Sequence, residues 1–290
     1  MLLRRCGLPR LAALCSLLLS LNAAALEQGA LTHAVQEEEQ ILKARIGVAV
    51  IDSATGKTIS YRGDERFPLN STHKAFLCAA LLSQVDQGER FLANPVTIDR
   101  SQLVDYSPVT EKHLAPARMT WQQLCSAAVS YSDNTAANLI AGAVGGPAGM
   151  TNLFRRWGDE ISRLDRYEPA LNEATPGDPR DTTTPLAISA TLRRLVTGNL
   201  LSRNGKKQLI AWMVEDKVAD ALLRAALPPG WRIADKTGAG GYGSRSIVAV
   251  VWPPDNTPLI VAIYITQTDA TLNESNAAIA RLGRMIFAQR

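Results

Sequence analysis

Between Arg45 and Tyr61 apolar positions recur every second residue: Ile46, Val48 and Val50, then, beyond Asp52-Ser53-Ala54-Thr55-Gly56, the run Lys57-Thr58-Ile59-Ser60-Tyr61. A period of two broken by turn-forming residues predicts a β-hairpin, because successive strand side chains face opposite ways. Three more β-rich runs stand near the other end, Trp231 to Lys236, Ser246 to Trp252 and Leu259 to Thr266, separated by a Gly-rich stretch and by Pro253-Pro254-Asp255-Asn256. Together they predict one five-stranded antiparallel sheet. Ile279, Leu282 and Ile286, at helical spacing, predict a helix over Asn273 to Ala288, and another around Leu31 to Leu42 precedes the first strand. From about Phe67 to Glu215 the pattern is helical, punctuated at Gly88, Pro95, Pro108, Gly145-Gly146-Pro147 and the turn-rich run Glu168 to Pro185.

If strands from both ends pair, the helical block is an insertion. The expected fold class is therefore α+β. It has a five-stranded antiparallel sheet flanked by terminal helices, from residues 26–66 and 217–290, plus an all-helical domain over 67–216. The active site is expected in the cleft between them, where ligands commonly bind.

The first 25 residues follow another rule: Arg4, Arg5 and Arg10 without an acid, an apolar stretch from Leu11 to Leu21, then Ala23-Ala24-Ala25. This pattern predicts a secretory signal cleaved near Ala25 and too short to span a membrane, hence a periplasmic protein. No other segment approaches the length of a span, so no membrane contact is expected after cleavage. Three of the four excess positive charges sit on those arginines, and the nearly neutral remainder is no footprint for nucleic acid. With 46% apolar and 20% charged residues, the chain is an ordinary globule, expected to be a monomer. Of four cysteines, Cys6 and Cys15 leave with the signal, and Cys78 and Cys125 remain as one disulfide or two buried thiols.

Three short runs carry candidate chemistry. Ser71-Thr72-His73-Lys74 stands directly before the apolar helix Ala75 to Val85. Three residues of helix put the Lys74 ammonium one turn above the Ser71 hydroxyl on the same face, and the helix's free N–H groups favour a developing oxyanion. Ser132-Asp133-Asn134 follows the apolar run Leu124 to Val129. Those three types disfavour a helix interior, so they mark a junction or a site. Lys236-Thr237-Gly238-Ala239-Gly240 closes the run that begins at Trp231, where a strand edge offers backbone groups and Gly238 and Gly240 let a ligand come close. Read singly, each is as well explained by a helix cap or a strand end.

In this order the three runs resemble those of the class A serine β-lactamases and related penicillin-binding proteins. Arg166-Tyr167-Glu168-Pro169-Ala170-Leu171-Asn172 is similar to the E-x-x-x-N loop of class A, with Arg166 and Asp181 of opposite charge at the two ends of that loop. The resemblance covers the chain from about Glu27 onward and implies a β-lactam as small-molecule substrate, hydrolysed through an ester on Ser71. It implies that Lys74 or Glu168 takes the serine proton, that Ser132 with Lys236 passes a proton to the ring nitrogen, and that Glu168 and Asn172 direct water onto the ester. It further places Asn134, Thr237, Gly238, Ala239 and Tyr106 around the substrate, gives the backbone N–H groups of Ser71 and Ala239 to the oxyanion, and sets Arg245 beside Lys236 and Thr237 as carboxylate anchors. A Cys78–Cys125 bridge resembles one known in the family. Each cysteine lies seven residues from its serine, roughly 10 Å along a helix, which agrees with two antiparallel helices placing them side by side. No cofactor is implied, and His33, His73 and His113 lack metal-ligand spacing.

Within the family, Arg163-Leu164-Asp165-Arg166, Thr182-Thr183-Thr184-Pro185 and Gly238-Ala239-Gly240-Gly241-Tyr242-Gly243 look most like the carbenicillin-hydrolysing penicillinases, although that branch commonly has Arg where this chain has Lys236. A D,D-peptidase and a β-lactam sensor share the serine-lysine pair. The first would lack Glu168 and Asn172 in these places, and the second would need a membrane-spanning segment.

Overall fold

The structure, a computed structural model, describes residues 27–255 and 257–289. The expected signal and its cleavage point lie outside the described residues.

Helix α1 (27–42) leads into β1 (Arg45–Asp52) and β2 (Thr58–Tyr61), and the far part of the chain supplies β3 (Arg232–Ala239), β4 (Arg245–Trp252) and β5 (Leu259–Thr266). All pairings are antiparallel in the order β2-β1-β5-β4-β3, with Ala49 opposite Ala262 and Lys236 opposite Val248. Between β2 and β3 lie α2 (His73–Asp86), α3 (Trp121–Ser130), α4 (Asn134–Ala143), α5 (Gly146–Arg156), α6 (Pro185–Thr197) and α7 (Arg203–Val214), and α8 (Leu272–Ala288) ends the fold.

Strand alternation divides the core in two. Val261, Ile263 and Ile265 of β5 pack with Leu31 and Val35 of α1 and Ile279, Leu282 and Ile286 of α8. The intervening Ile260, Ala262 and Tyr264 pack with the helical block, including Phe67, Phe76 and Leu192. Each such side chain taken out of water contributes about 2 kcal/mol, so a one-residue slip of β5 would move every contribution to the wrong face. Gly47 in β1 is required sterically, because a Cβ there would stand 2.4 Å from the Phe67 ring. The terminal helices are tied by Arg281, whose Nε and Nη2 donate to the two Glu38 carboxylate oxygens at 2.5 and 2.7 Å.

The five strands and both terminal helices stand where the periodicity places them, with two differences. Strand β3 runs on through Lys236 to Ala239, because Thr237, Gly238 and Ala239 pair with Ile247, Ser246 and Arg245. The helical region also contains two ladders, Phe67–Pro68 with Thr182–Thr183 and Pro95–Thr97 with Arg118–Thr120, too short to leave a period in the sequence. Cys78 of α2 and Cys125 of α3 form a disulfide with Cα atoms 5.6 Å apart. Among the described residues no helix is long and apolar enough to cross a membrane.

Candidate active site

A 3-10 turn, Asn70–Thr72, runs straight into α2, so Ser71 sits at the helix entrance and Lys74 one turn on. The Lys74 side chain is wholly buried; its Nζ donates to Glu168 Oε1 at 3.0 Å, Asn134 Oδ1 at 2.5 Å and the Ser132 carbonyl at 2.7 Å, and lies 3.4 Å from Ser132 Oγ. Ser71 Oγ donates to the same Glu168 Oε1 at 3.5 Å, and Asn172 Nδ2 donates to Oε2 at 2.5 Å. Three side chains, two from the α2 entrance and one from its own loop, thus converge on one carboxylate.

Burial alone would raise the Glu168 pKa, but the Lys74 ammonium and the bonds from Lys74 and Asn172 outweigh it, and the group lies below its ordinary 4.5. Burial pulls the Lys74 ammonium down, against the pull of Glu168. Burial also lowers His73, whose Nδ1 lies 2.6 Å from the Asn70 carbonyl, and so holds it neutral.

Ser132-Asp133-Asn134 is the junction between α3 and α4. Asp133 caps α4 by accepting from Ala136 N at 2.9 Å and also accepts from the N–H groups of Val109 and Thr110 at 3.0 and 2.9 Å. That anchors the Tyr106-bearing segment, as does Asn134 Nδ2 donating to the Asp105 carbonyl at 2.8 Å. The run is both a cap and part of the site.

The turn before α6 is closed as its charges suggest. Arg166 Nε donates to Asp181 Oδ2 at 2.6 Å, and Asp181 Oδ1 accepts the N–H groups of Asp165 and Arg166 at 2.7 and 2.9 Å. Asn138 Nδ2 donates to the Glu168 carbonyl and its Oδ1 accepts the Glu168 N–H, at 2.9 and 2.8 Å, so α4 grips the backbone of that residue from both sides.

On the sheet side, Lys236 is fully buried, donates to the Thr237 carbonyl at 3.0 Å and is pushed down to about 8 by desolvation. Lys74, rather than Lys236, makes the direct contacts to Ser132, because Lys74 rises from α2 beneath the junction. Arg245 reaches across from β4, its Nε donating to Asn276 Oδ1 at 2.7 Å and its Nη1 to the Gly238 carbonyl at 3.1 Å, and burial lowers it to about 10. A Cβ on Gly238 would stand 3.0 Å from Ser71 N and 2.9 Å from Asn70 Cβ, so this glycine lets the strand approach the Ser71 turn rather than only a ligand.

Ser71, Tyr106, Ser132, Asn134, Asn172, Thr237, Gly238, Ala239 and Arg245 line one cleft of about 450 Å³, shared with Val218 and Leu272. The three remaining sequence-derived site residues, Lys74, Glu168 and Lys236, are buried behind its wall. Tyr106 is 58% exposed at the mouth, which excludes a core role. Sequence reasoning missed Asn70, Asn138, Val218, Leu272 and Asn276. Only Asn138 left a trace, one helical turn beyond Asn134 on the same face. The described residues contain no group of side chains that would hold a metal ion.

Residues 30–289 match the model of the β-lactamase enzyme family. The chain is 59% identical over 259 residues to β-lactamase AER-1 of Aeromonas hydrophila, covering 89% of this chain and 85% of that one. An ancestral class A β-lactamase superposes with a TM-score of 0.87 at 52% identity, covering 89% of this chain and 99% of the other. A β-lactamase from Xanthomonas campestris pv. campestris gives 0.87 at 39% identity, covering 90% and 97%. The chain, with its serine at a helix entrance over a buried lysine, therefore belongs by these matches to the class A serine β-lactamases.

Proposed function

We propose that the chain hydrolyses β-lactams through Ser71, with Glu168 as the base for both halves of the reaction. The observation that carries this is the pair of bonds on Glu168 Oε1, from Ser71 Oγ at 3.5 Å and Lys74 Nζ at 3.0 Å. Ser71 Oγ attacks the lactam carbonyl and its proton passes to Glu168, while the N–H groups of Ser71 and Ala239 hold the oxyanion. The C–N bond breaks as Ser132 hands its proton to the departing nitrogen; Lys74, in contact with Ser132 and with the Lys236 charge nearby, restores it and takes in turn, across 3.0 Å, the proton that Glu168 received from Ser71, so that Glu168 is a carboxylate again. Water held by Glu168 and Asn172 then cleaves the ester, Glu168 taking the water proton and Ser71 recovering its own. Lys236, Thr237 and Arg245 bind the substrate carboxylate. No step calls on a cofactor.

By the same reading the protein is a periplasmic monomer, freed of its signal near Ala25, without nucleic-acid partners, and divided into a sheet domain (26–66, 217–290) and a helical domain (67–216). The run Gly238 to Gly243 and the runs Arg163 to Arg166 and Thr182 to Pro185, rather than Lys236, favour the penicillinase branch, carboxypenicillins included.

Two variants test the reading. Ser71→Ala abolishes covalent labelling by penicillin in intact-mass spectra. Glu168→Ala acylates slowly and accumulates the ester. An adduct on the first variant, or unchanged turnover by the second, overturns the assignment. A single stoichiometric burst of nitrocefin opening by the unmodified protein, without sustained turnover, would turn it into a peptidase or sensor.

A further inference from the structure

Lys236 and Arg245 are almost wholly buried, and among the described residues neither lies within 4 Å of a carboxylate. Burying two like charges side by side without a counter-charge is costly. The acids around them are otherwise engaged: Glu168 with Lys74, and Asp235 with Arg224 at 2.8 Å. Asp133 is occupied by backbone donors from the Tyr106 segment and α4. Asp216 is the exception. It follows α7, is 2% exposed, and spends Oδ1 on the Val218 N–H at 2.9 Å, while its buried Oδ2 has no partner. The segment is held by Lys217 N donating to the Ser130 carbonyl at 2.8 Å and presents Val218 to the cleft.

We propose that Asp216 is a positioning residue for the substrate-carboxylate site: its half-partnered carboxylate is the counter-charge that keeps Lys236 and Arg245 cationic behind the cleft. This rests on the assignment of those two cations to the substrate. Of the charges facing Lys236, Asp216 opposes the desolvation most, Asp235 adds to it, and Lys74 and Arg245 act the other way. Asp216 likewise opposes desolvation most at Arg245.

The test is the pH profile of kcat/KM for benzylpenicillin between pH 7 and 10. Asp216→Asn moves the alkaline limb to lower pH, so that the loss relative to the unmodified protein grows from pH 7 to roughly tenfold at pH 9. It appears mainly in KM, since the anchor for the substrate anion is what is lost. Asp216→Ser is a second neutral variant should the amide not fold, and Asp216→Glu keeps the limb in place. In a Lys236→Arg background, where position 236 no longer titrates below pH 9, Asp216→Asn shifts no limb between pH 7 and 9. An unmoved limb in both neutral variants, or the same proportional loss at every pH, overturns the role of Asp216 and leaves Ser71 labelling intact. If Lys236→Arg alone retains the limb, it is the assignment of Lys236 that falls.

Discussion

Asn70 holds φ at +44° immediately before Ser71, Tyr106 holds +59°, and Ser132 holds +61°. Non-glycine residues in this region cost of order 1 kcal/mol each and persist where the surroundings over-determine them. Here Asn70 donates to Ser244 Oγ at 2.8 Å, and Asn134 N donates to the Tyr106 carbonyl at 3.0 Å. The strain therefore holds the cleft residues ready before substrate arrives. Charge is arranged in advance as well. Because the Lys74 ammonium beside Glu168, with the bond from Asn172, keeps it below 4.5, the active carboxylate form persists into acid, and activity falls only as pH drops through that lowered value. The acid limb of kcat is accordingly expected below the ordinary carboxylate range; a limb at about pH 5.5 or above would contradict it. The motif residues were legible because Ser, Asp, Asn and Lys interrupt apolar runs that would otherwise continue. Asn276 was not, and Asn138 only as a position one turn beyond Asn134, since the partners of both lie some 30 positions away.

The loop from Arg166 to Asp181 has little apolar surface to bury, so its shape depends on the 1%-exposed Asp181 carboxylate and its three donors. Removing that carboxylate leaves the Asp165 and Arg166 N–H groups without their acceptor, at about 2 kcal/mol, while the Arg166 side chain keeps Glu173 at 2.5 Å. Asp181→Ala is thus expected to lower the melting temperature and, by loosening Glu168, to slow deacylation more than acylation; equal effects on both in single-turnover kinetics would refute the link. The disulfide acts on the opposite balance. By joining α2 to α3 across 47 positions it restricts the unfolded chain, by at most roughly 4 kcal/mol in the loop-entropy model. Cys78→Ala is expected to melt earlier while keeping its kcat, checked by calorimetry and nitrocefin turnover. The five strands and the terminal helices were readable from period and turn residues, and the helical region as a block, whereas the ladder Phe67–Pro68 with Thr182–Thr183 was not, because two residues cannot display an alternation.

Across the whole molecule, the cleft is bounded on one side by a strand that cannot retreat. Gly238 already lies against Asn70 and Ser71, and Gly241 N donates to the Asn172 carbonyl at 2.8 Å, pinning the strand end to the loop that carries Glu168. Penicillins have compact side chains that suit this space of about 450 Å³. The branched group of an oxyimino-cephalosporin would press on strand and loop together, and a misfit of about 3 kcal/mol in the transition state lowers kcat/KM more than a hundredfold. Benzylpenicillin is therefore expected to be a far better substrate than ceftazidime; comparable kcat/KM values would show the cleft to be wider than this.

The strand order β2-β1-β5-β4-β3 puts the last strand to be synthesised at the centre of the sheet, where it pairs along its whole length with the first. A chain in which β5 has yet to become available can form helices and the β1–β2 hairpin, but it has no central strand on which to seat β4 and β3, and hence no lysine strand held facing Ser71. Closing a loop of some two hundred residues is slow compared with local helix formation. The lysine strand is thus held opposite Ser71 only through β5, a strand that contributes no residue to the cleft lining.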